Sequence, residues 1–394
     1  MTYADIILPL PLEGYFTYCV PDTLAPRLQP GCRVRVPLGK TKTYTGLVAA
    51  LHDQVPAGLK TGKEGVKSIV EMMDPGPVLL PQQLRLWQWI ADYYLSPIGE
   101  VYKAALPSGL KAEDDYRPKT ETYVVLADDF RSAQALRAAQ AMLQRAPAQQ
   151  KVLRAYLELA SVSEENPVPQ REITREELMN ESHCTTTVLR QFLDRRILRL
   201  YEKEVGRIPL GGMPHPEHIK PLSEAQADAY NQILVQQMSK DITLLHGVTS
   251  SGKTEIYIHL IQRALDEGRQ VLYLLPEIAL TVQMMQRLRR VFGDRLGIYH
   301  SRYSDAERVE IWKRQLSDHP YDVILGARSA LFLPFQRLGL VIVDEEHEQS
   351  FKQMDPAPRY HARSAAIILA KLCGAKVLLG TATPSSESYW NAQT

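Results

Sequence analysis

Two short segments of this sequence carry residue types suited to nucleoside triphosphate chemistry. The first, "HGVTSSGKTEIY", places Gly247, Gly252, Lys253 and Thr254 in the spacing G-x-x-x-x-G-K-[ST]. In a P-loop of this kind, backbone N–H groups surround a phosphate, the lysine reaches the terminal phosphates and the hydroxyl coordinates Mg²⁺. We therefore expect the nucleotide to be bound by Gly247, Val248, Thr249, Ser250, Ser251, Gly252, Lys253 and Thr254.

The second segment, "GLVIVDEEHEQS", is an apolar run that ends in carboxylates. A buried parallel strand of this type brings its C-terminal end to the ligand-binding edge of a sheet, beside a P-loop. We expect Asp344 to hold Mg²⁺ together with Thr254, and Glu345 to orient or deprotonate the attacking water. With Lys253, these two carboxylates are the candidate catalytic residues. A solvated acidic turn is the alternative in a chain without a P-loop.

The P-loop needs a strand before it and a helix after it. "DITLLHG" is a short apolar run, and the segment after the loop spaces Ile256, Leu260, Ile261 and Leu265 as one face of a helix that closes at Gly268. This order directs the helix N-terminus, with its free N–H groups and partial positive charge, at the phosphates. The alternative interpretation is a glycine turn that only joins the strand to the helix and binds no phosphate.

Further strand-end segments repeat this arrangement. "AKVLLGTATPSS" places Thr381 and Thr383 after a strand, where their hydroxyls are suited to bond to a carboxylate or to nucleic acid. Three more segments of the same kind are "VLYLLPEIALT", "LGIYHSRYS" and "DVILGARSALFLPF". Alternating strands and amphipathic helices beyond residue 222 predict a parallel α/β sheet.

The whole chain is predicted to be a multidomain α/β protein. Residues 1–106 contain short β-like runs followed by two helices that each begin with proline, which indicates a small β-rich domain. Residues 120–204 contain three helices and a terminal hairpin, the order of a winged helix domain. Residues 205–221 are a linker rich in Pro and Gly, and residues 222–394 are the P-loop domain.

The winged helix segment offers its own candidate binding face. Thr185 or Thr186 is suited to cap its third helix, and Arg190, Arg195 and Arg196 are expected to face outward. Such modules bind either DNA or protein, so the pattern leaves the partner open.

Composition excludes several other classes of protein. The 394 residues carry a net charge of +1, and the four cysteines are scattered, which predicts neither a disulfide framework nor a zinc site and fits a reducing cytoplasm. The N-terminus lacks the pattern of a signal peptide, and no apolar run approaches the length of a membrane span. Residues 31–67 have a local charge of +5 and form either a candidate DNA-backbone-binding face or an ordinary solvated hairpin.

The succession of these motifs resembles a known family. P-loop, "PEIALT", "GARSALFLPF", "DEEH" and "TATPS" look like the first RecA-like lobe of a superfamily-2 nucleic-acid helicase. The strings "FKQ" and "RYHAR" are similar to those of the primosomal protein N-prime (PriA) family of replication-restart helicases. The N-terminal strings "LPLPLEGYFTYCVP", "GCRVRVPLGK" and "ADYYLSPIGEV" resemble that family's DNA 3′-end-binding domain.

The resemblance implies an ATP- and Mg²⁺-dependent 3′-to-5′ DNA helicase that recognises stalled or collapsed forks and helps to reload the replicative helicase. Implied partners are branched DNA with a 3′ end, primosome and helicase-loading proteins, and single-stranded DNA-binding protein. The implied location is the cytoplasm, at the nucleoid, with no membrane partner. The resemblance adds Gln226 to the nucleotide-binding residues, and the DNA-binding candidates are Phe16, Thr17, Tyr18, Lys60, Arg328, Thr381 and Thr383.

Two departures from the family pattern bear on these expectations. The family commonly has Phe-Asp-Tyr where this chain has Phe16, Thr17 and Tyr18, so the acidic group that would accept from a terminal nucleotide is missing at position 17. Family members also continue with a second motor lobe, which carries an arginine-bearing motif, and with a zinc region. Because nothing here matches these parts, we expect an N-terminal fragment that is catalytically incomplete and does not itself bind zinc.

Two other functions remain open at this point. One is a non-motor scaffold that binds forks and uses the P-loop as a nucleotide sensor. The other is an unrelated P-loop enzyme such as a kinase or a transporter ATPase, but "LSGGQ" is absent and "DEEH" with "TATPS" has no role in a kinase.

Overall fold

A computed structural model describes residues 2–54, 66–111, 119–204, 206, 208, 212–249, 251–279, 281–300 and 302–394. The chain forms two compact units, one made of residues 1–116 with 208–394 and the other of residues 117–207. The β-rich N-terminal region therefore belongs to the same unit as the P-loop region. Among the described helices, none combines the length and the apolar character that crossing a bilayer requires.

The N-terminal region contains a five-stranded antiparallel sheet with the order β2-β1-β4-β3-β5. Alternate apolar residues, including Ile6, Val34 and Val48, are buried on one face, which is the pattern that the short runs predicted. The strands are β1 (Tyr3–Ile7), β2 (Phe16–Cys19), β3 (Arg33–Leu38), β4 (Lys42–His52) and β5 (Glu71–Met72).

Three helices follow this sheet: α1 (Pro81–Tyr93), α2 (Ile98–Ala105) and α3 (Ser108–Lys111). Trp87 on α1 and Tyr102 on α2 are buried in one hydrophobic cluster with Trp312 and Phe332 of the P-loop region. The Trp312 indole N–H also donates to the Val78 carbonyl at 2.8 Å. Because the two regions share a core and buried hydrogen bonds, they are expected to unfold together.

The second unit has the winged helix fold. Its elements are β6 (Thr120–Leu126), α4 (Ala133–Met142), α5 (Pro147–Leu159), β7 (Ile173–Thr174), α6 (Arg175–Ser182), α7 (Thr186–Asp194) and β8 (Leu198–Glu204). The sheet order is β7-β6-β8. Thr185 occupies the N-cap position of α7, and Arg190, Arg195 and Arg196 are exposed, as predicted.

The P-loop region is built on a six-stranded sheet with the order β11-β12-β10-β13-β14-β9, and every pairing is parallel. The strands are β9 (Ile242–His246), β10 (Gln270–Leu274), β11 (Leu296–Tyr299), β12 (Val323–Gly326), β13 (Leu338–Asp344) and β14 (Lys376–Thr381). The helices are α8 (Glu224–Ser239), α9 (Lys253–Asp266), α10 (Val282–Phe292), α11 (Asp305–Leu316), α12 (Ala362–Cys373) and α13 (Ser386–Gln393). The central strands are buried on both faces, which confirms the predicted parallel α/β architecture.

Candidate nucleotide and nucleic-acid site

The P-loop joins β9 to α9 at the carboxyl edge of the parallel sheet. The Gly247 N–H donates to the Thr381 carbonyl at 3.0 Å, which ties the start of the loop to β14. Gly252 ends the loop with a φ of +80°, and a Cβ atom there would lie 2.1 Å from Nε2 of Gln226. The left-handed backbone therefore favours glycine at position 252, and a side chain there would displace the amide group of Gln226.

Lys253 is the first residue of α9, and only 8% of its surface is exposed. Its Nζ donates to the Gly247 carbonyl at 2.9 Å and to the Val248 carbonyl at 3.4 Å. The ammonium group thus lies against the loop that is expected to surround a phosphate. A phosphate oxygen that entered the loop would offer it a charged acceptor in place of these neutral ones.

Gln226 contacts the P-loop from α8, which lies before the loop in the chain. Its Nε2 donates to the Ser251 carbonyl at 3.2 Å, while its Oε1 accepts from the Ser223 N–H at 2.9 Å in a capping box. This predicted nucleotide-binding residue therefore reaches the loop itself. Ser250 lies outside the described residues, whereas Val248, Thr249 and Ser251 are exposed at the loop surface.

Asp344 lies at the end of β13, and 7% of its surface is exposed. Its Oδ1 accepts from the Tyr257 hydroxyl at 2.9 Å and from the Glu345 N–H at 3.1 Å, and its Oδ2 accepts from the Tyr273 hydroxyl at 3.2 Å. Burial raises the pKa of the Asp344 carboxyl, although the Tyr257 hydrogen bond and the positive charge of Lys253 act in the opposite direction.

Glu345 follows directly and has a left-handed backbone with a φ of +49°, which is uncommon for a residue with a side chain. This conformation places its Oε1 3.8 Å from Nζ of Lys253 and its Oε2 3.7 Å from Nδ1 of His347. The predicted catalytic residues Lys253, Asp344 and Glu345 are thus brought together at one edge of the sheet. Strained backbones of this kind cluster at functional sites.

His347 connects the "DEEH" segment to the "TATPS" segment. Its Nδ1 lies 2.7 Å from Oγ1 of Thr381, and its Nε2 lies 3.2 Å from Oγ1 of Thr383. Thr381 has no exposed surface, so it is not available to DNA, whereas Thr383 is exposed. The sequence placed both hydroxyls at this edge but did not identify the histidine between them.

Glu346 makes a second connection between the same two segments. Its carboxylate has no exposed surface and accepts from the Ser385 N–H at 2.7 Å and the Ser388 hydroxyl at 2.8 Å. It also pairs with the Arg363 guanidinium on α12. Burial acts to raise the pKa of Glu346, but these hydrogen bonds outweigh burial and leave the pKa below its usual value.

The oxygen donors at this site fit a magnesium ion. The Thr254 hydroxyl at the start of α9 and the Asp344 carboxylate are hard donors, and Mg²⁺ in phosphate sites takes one or two protein oxygens and keeps several waters. Across the described part of the chain, no group of three or more His, Cys, Asp or Glu side chains is arranged to hold a metal ion.

The predicted DNA-binding residues near the N-terminus have different environments. Tyr18 is buried in the core, with its hydroxyl donating to the Pro37 carbonyl at 3.1 Å, so a base cannot stack on its ring without a rearrangement. Phe16 is partly exposed on β2. The Thr17 hydroxyl donates to Oδ1 of Asp5, the residue that pairs with it on β1, at 2.7 Å. Lys60 lies outside the described residues.

Asp5 therefore puts a carboxylate beside Thr17. Nε2 of His52 lies 3.2 Å from the same Asp5 Oδ1, and a quarter of the Asp5 side chain is exposed. A carboxylate is thus present on the strand next to position 17, a feature that only the strand register reveals.

The described basic residues of the segment 31–67 do not all face solvent. Arg33 is buried, donates to both carboxylate oxygens of Asp74 and also donates to the Leu110 carbonyl at 2.7 Å. It therefore holds β3 against α3 instead of contacting solvent. Lys40 and Lys42 remain exposed. In the P-loop region, the predicted DNA contact Arg328 is half-buried and donates to the Lys352 carbonyl at 3.3 Å.

Comparison with known proteins identifies three families along the chain. The 3′ DNA-binding domain (3′BD) of PriA matches residues 5–107, the winged helix domain of the PriA helicase of Bacteroidota matches residues 121–205, and the DEAD/DEAH box helicase domain matches residues 223–390. Together these three matches cover nearly all of the sequence.

Curated relatives are similar over the whole chain. The replication restart protein PriA of Haemophilus influenzae is 33% identical over 397 residues, which cover 100% of this chain and 50% of that protein. The PriA of Bacillus subtilis is 31% identical over 447 residues, which cover 100% of this chain and 54% of that protein. The chain thus spans about half the length of these relatives. It belongs to the PriA family of replication restart proteins.

Proposed function

We propose that this chain provides the nucleotide site and the DNA-recognition region of an ATP-dependent 3′-to-5′ DNA helicase that acts in replication restart. The observation that carries this proposal is the position of Lys253 and Glu345, 3.8 Å apart, on a P-loop helix and an adjoining strand end. An ammonium group and a carboxylate at this edge can bind a triphosphate and direct a water at its terminal phosphate.

In the proposed reaction, Lys253 exchanges its loop carbonyl acceptors for oxygens of the terminal phosphates and stabilises the charge that develops there. Glu345 positions the attacking water and accepts its proton. Thr254 and Asp344 would hold Mg²⁺, which supplies charge neutralisation on the phosphates when it is bound. Gln226 and the backbone of residues 247–252 keep the loop in place around the nucleotide.

Coupling to DNA would pass through His347. Its ring bridges Thr381 at the end of β14 and the exposed Thr383, and it lies 3.7 Å from Glu345. A movement of Glu345 on nucleotide hydrolysis can therefore reach the exposed Thr383 hydroxyl through two contacts, Glu345 to His347 and His347 to Thr383. We propose that DNA contacts the P-loop region at Thr383 and Arg328.

The N-terminal region would bind the 3′ end of a DNA strand at a fork. Phe16 offers a partly exposed ring for stacking, and Asp5 offers a carboxylate that can accept from a terminal 3′-hydroxyl. Lysines of the basic segment, Lys60 among them, would contact phosphates. Because this region shares a core with the P-loop region, occupation of the DNA end and the state of the nucleotide site can influence each other.

The partners and location of this activity are also proposals. We infer that the protein acts in the cytoplasm at the nucleoid, with primosome and helicase-loading proteins and single-stranded DNA-binding protein. Because an arginine from a second lobe is worth about 10³ to 10⁵ in rate in phosphoryl-transfer enzymes, we propose that this chain alone hydrolyses ATP slowly.

Anisotropy of labelled forks tests the proposal, with forks that end in a 3′-hydroxyl or a 3′-phosphate and with and without Mg-ATP. We expect tighter binding of the 3′-hydroxyl fork and a measurable Mg-ATP affinity. Equal affinity for the two forks would contradict end recognition, and a chain that bound no nucleotide would contradict the motor assignment. A third outcome would favour the nucleotide-sensing scaffold. In that case the full natural protein would bind Mg-ATP but show no DNA-dependent hydrolysis.

A further inference from the structure

Two buried tyrosines flank the carboxylate of Asp344. Tyr257 lies on α9, one helical turn after Lys253, and Tyr273 lies on β10, the strand adjacent to β13. Neither side chain has any exposed surface, and the two rings are in edge-to-face contact with centroids 5.5 Å apart. Two independent elements thus present a phenol hydroxyl to one carboxylate.

The two hydroxyls bind different oxygens of this carboxylate. Tyr257 donates to Oδ1 at 2.9 Å and Tyr273 donates to Oδ2 at 3.2 Å. The Glu345 N–H also donates to Oδ1, at 3.1 Å, so Tyr257 shares Oδ1 with the backbone, whereas Tyr273 holds Oδ2. Donors on both oxygens restrict rotation about the Cβ–Cγ bond. The plane of the carboxylate is therefore set by the protein before any ligand arrives.

Space for one of these hydroxyls is provided by a glycine on a third strand. Gly380 on β14 is the register partner of Asp344, and a Cβ atom at Gly380 would lie 1.8 Å from the Tyr257 hydroxyl oxygen. Any side chain there would therefore displace the hydroxyl from Asp344. Gly380 thus makes room for the hydrogen bond from Tyr257 to Oδ1, while Tyr273 reaches Oδ2 from β10.

Packing alone does not require these hydroxyl groups. A buried hydroxyl costs free energy unless it is hydrogen-bonded, and phenylalanine would fill the same volume without that cost. Without the two hydroxyls, the Glu345 N–H would remain as a donor to Oδ1 alone, and the nearby positive charge of Lys253 would compete for the carboxylate. A carboxylate turned toward Lys253 would be a poorer ligand and would also hold the lysine away from a phosphate.

We propose that Tyr257 and Tyr273 are positioning residues that hold the Asp344 carboxylate in the orientation needed to bind the Mg²⁺ of a Mg-nucleotide complex. This inference rests on the proposed function of the site as an ATP site. It adds two residues that act through Asp344 and do not touch the nucleotide.

The test uses the whole chain with a fluorescent ATP analogue and a titration of Mg²⁺. We expect Tyr257→Phe and Tyr273→Phe each to raise the Mg²⁺ concentration at half-saturation by about 10-fold, the usual effect of losing a group that orients a metal ligand. Affinity for the analogue in EDTA should remain at the parental value. Tyr299→Phe, which removes a buried hydroxyl from β11 at the far side of the same sheet, should leave the Mg²⁺ midpoint unchanged.

A double-mutant cycle separates positioning from packing. In an Asp344→Asn background, the tyrosine substitutions should have no further effect on the Mg²⁺ midpoint, because the group they act on is gone. Parental Mg²⁺ dependence in both phenylalanine variants, or an equal shift in the Asp344→Asn background, would overturn the inference while leaving the ATP site intact. A chain that bound no nucleotide, or an Asp344→Asn variant with parental Mg²⁺ dependence, would instead overturn the proposed site itself.

Discussion

The Arg363 guanidinium pairs with the Glu346 carboxylate in the interior of the P-loop region, where Glu346 has no exposed surface. Ser385 and Ser388 complete the set of donors to this carboxylate. The pair joins α12, the end of β13 and the start of α13. It therefore fixes the two strand-end segments whose residues form the candidate catalytic site.

Removal of the guanidinium should destabilise this region strongly. Arg363→Ala leaves a buried carboxylate without its positive partner, which costs about 3–5 kcal/mol in comparable pairs. Arg263→Ala is the matched control, because its pair with Glu267 is mostly exposed and such helix pairs contribute about 0.3–0.5 kcal/mol. Denaturant unfolding of both variants checks this prediction, and equal midpoints for the two would contradict it.

In a polypeptide that also carries the proposed second lobe, Lys253→Ala should lower ATP hydrolysis by about 10²- to 10³-fold, because the ammonium group stabilises charge on the transferring phosphate. Binding of forked DNA should survive, since the residues proposed to bind the DNA end lie in the N-terminal sheet. Lys240→Ala, at the exposed C-terminal end of α8, is the control. The measurement is phosphate release with and without forks, and parental turnover in Lys253→Ala would refute the role given to this residue.

Glu345→Gln should separate nucleotide binding from hydrolysis. The amide keeps the size of the side chain but cannot accept a proton, so turnover should fall by about 10²-fold or more. The affinity for Mg-ATP should stay within a few fold of the parental value, because Lys253 and Asp344 are retained. Single-turnover hydrolysis with an equilibrium binding assay distinguishes the two effects. A loss of binding equal to the loss of turnover would show that Glu345 acts on nucleotide affinity.

His361 should make the stability of the protein sensitive to mild acid. Burial, together with the charges of Arg363 and Lys352, lowers the pKa of His361 from the ordinary 6.5 to about 4. The unfolded chain therefore binds a proton between these values while the folded chain does not, so stability falls as the pH drops from about 6.5 to about 4. His361→Asn should flatten the melting temperature over this range, and parallel curves for the two proteins would rule out this contribution.

Asp5 should control discrimination between DNA ends. Asp5→Asn removes the carboxylate beside Thr17, which can accept from a 3′-hydroxyl and repel a 3′-phosphate. The preference for the hydroxyl fork should fall by about 10-fold, the equivalent of one charge-assisted hydrogen bond. Asp22→Asn, which removes an exposed carboxylate elsewhere, controls for the change in net charge. Anisotropy at two salt concentrations checks this, and an unchanged preference would remove Asp5 from the end site.

The sequence by itself determined the parallel sheet, the winged helix and the positions of the chemical groups along the chain. These features follow from local rules: apolar periodicity defines each strand and helix, and the P-loop spacing fixes Gly252 and Lys253 at a helix start. The carboxyl ends of parallel strands meet at one edge, so the sequence alone predicts Asp344 and Glu345 beside Lys253.

Tertiary structure alone decided which of these side chains touch. The sequence motifs assigned no role to Tyr257 or Tyr273, and only the packing of α9 against β10 and β13 brings both hydroxyls to Asp344. Strand register set Asp5 opposite Thr17, and close packing buried Tyr18. Contacts of this kind join residues far apart in the chain. Short-range periodicity does not predict them, because it specifies the face of a helix or strand on which a residue lies and not the element that packs against that face.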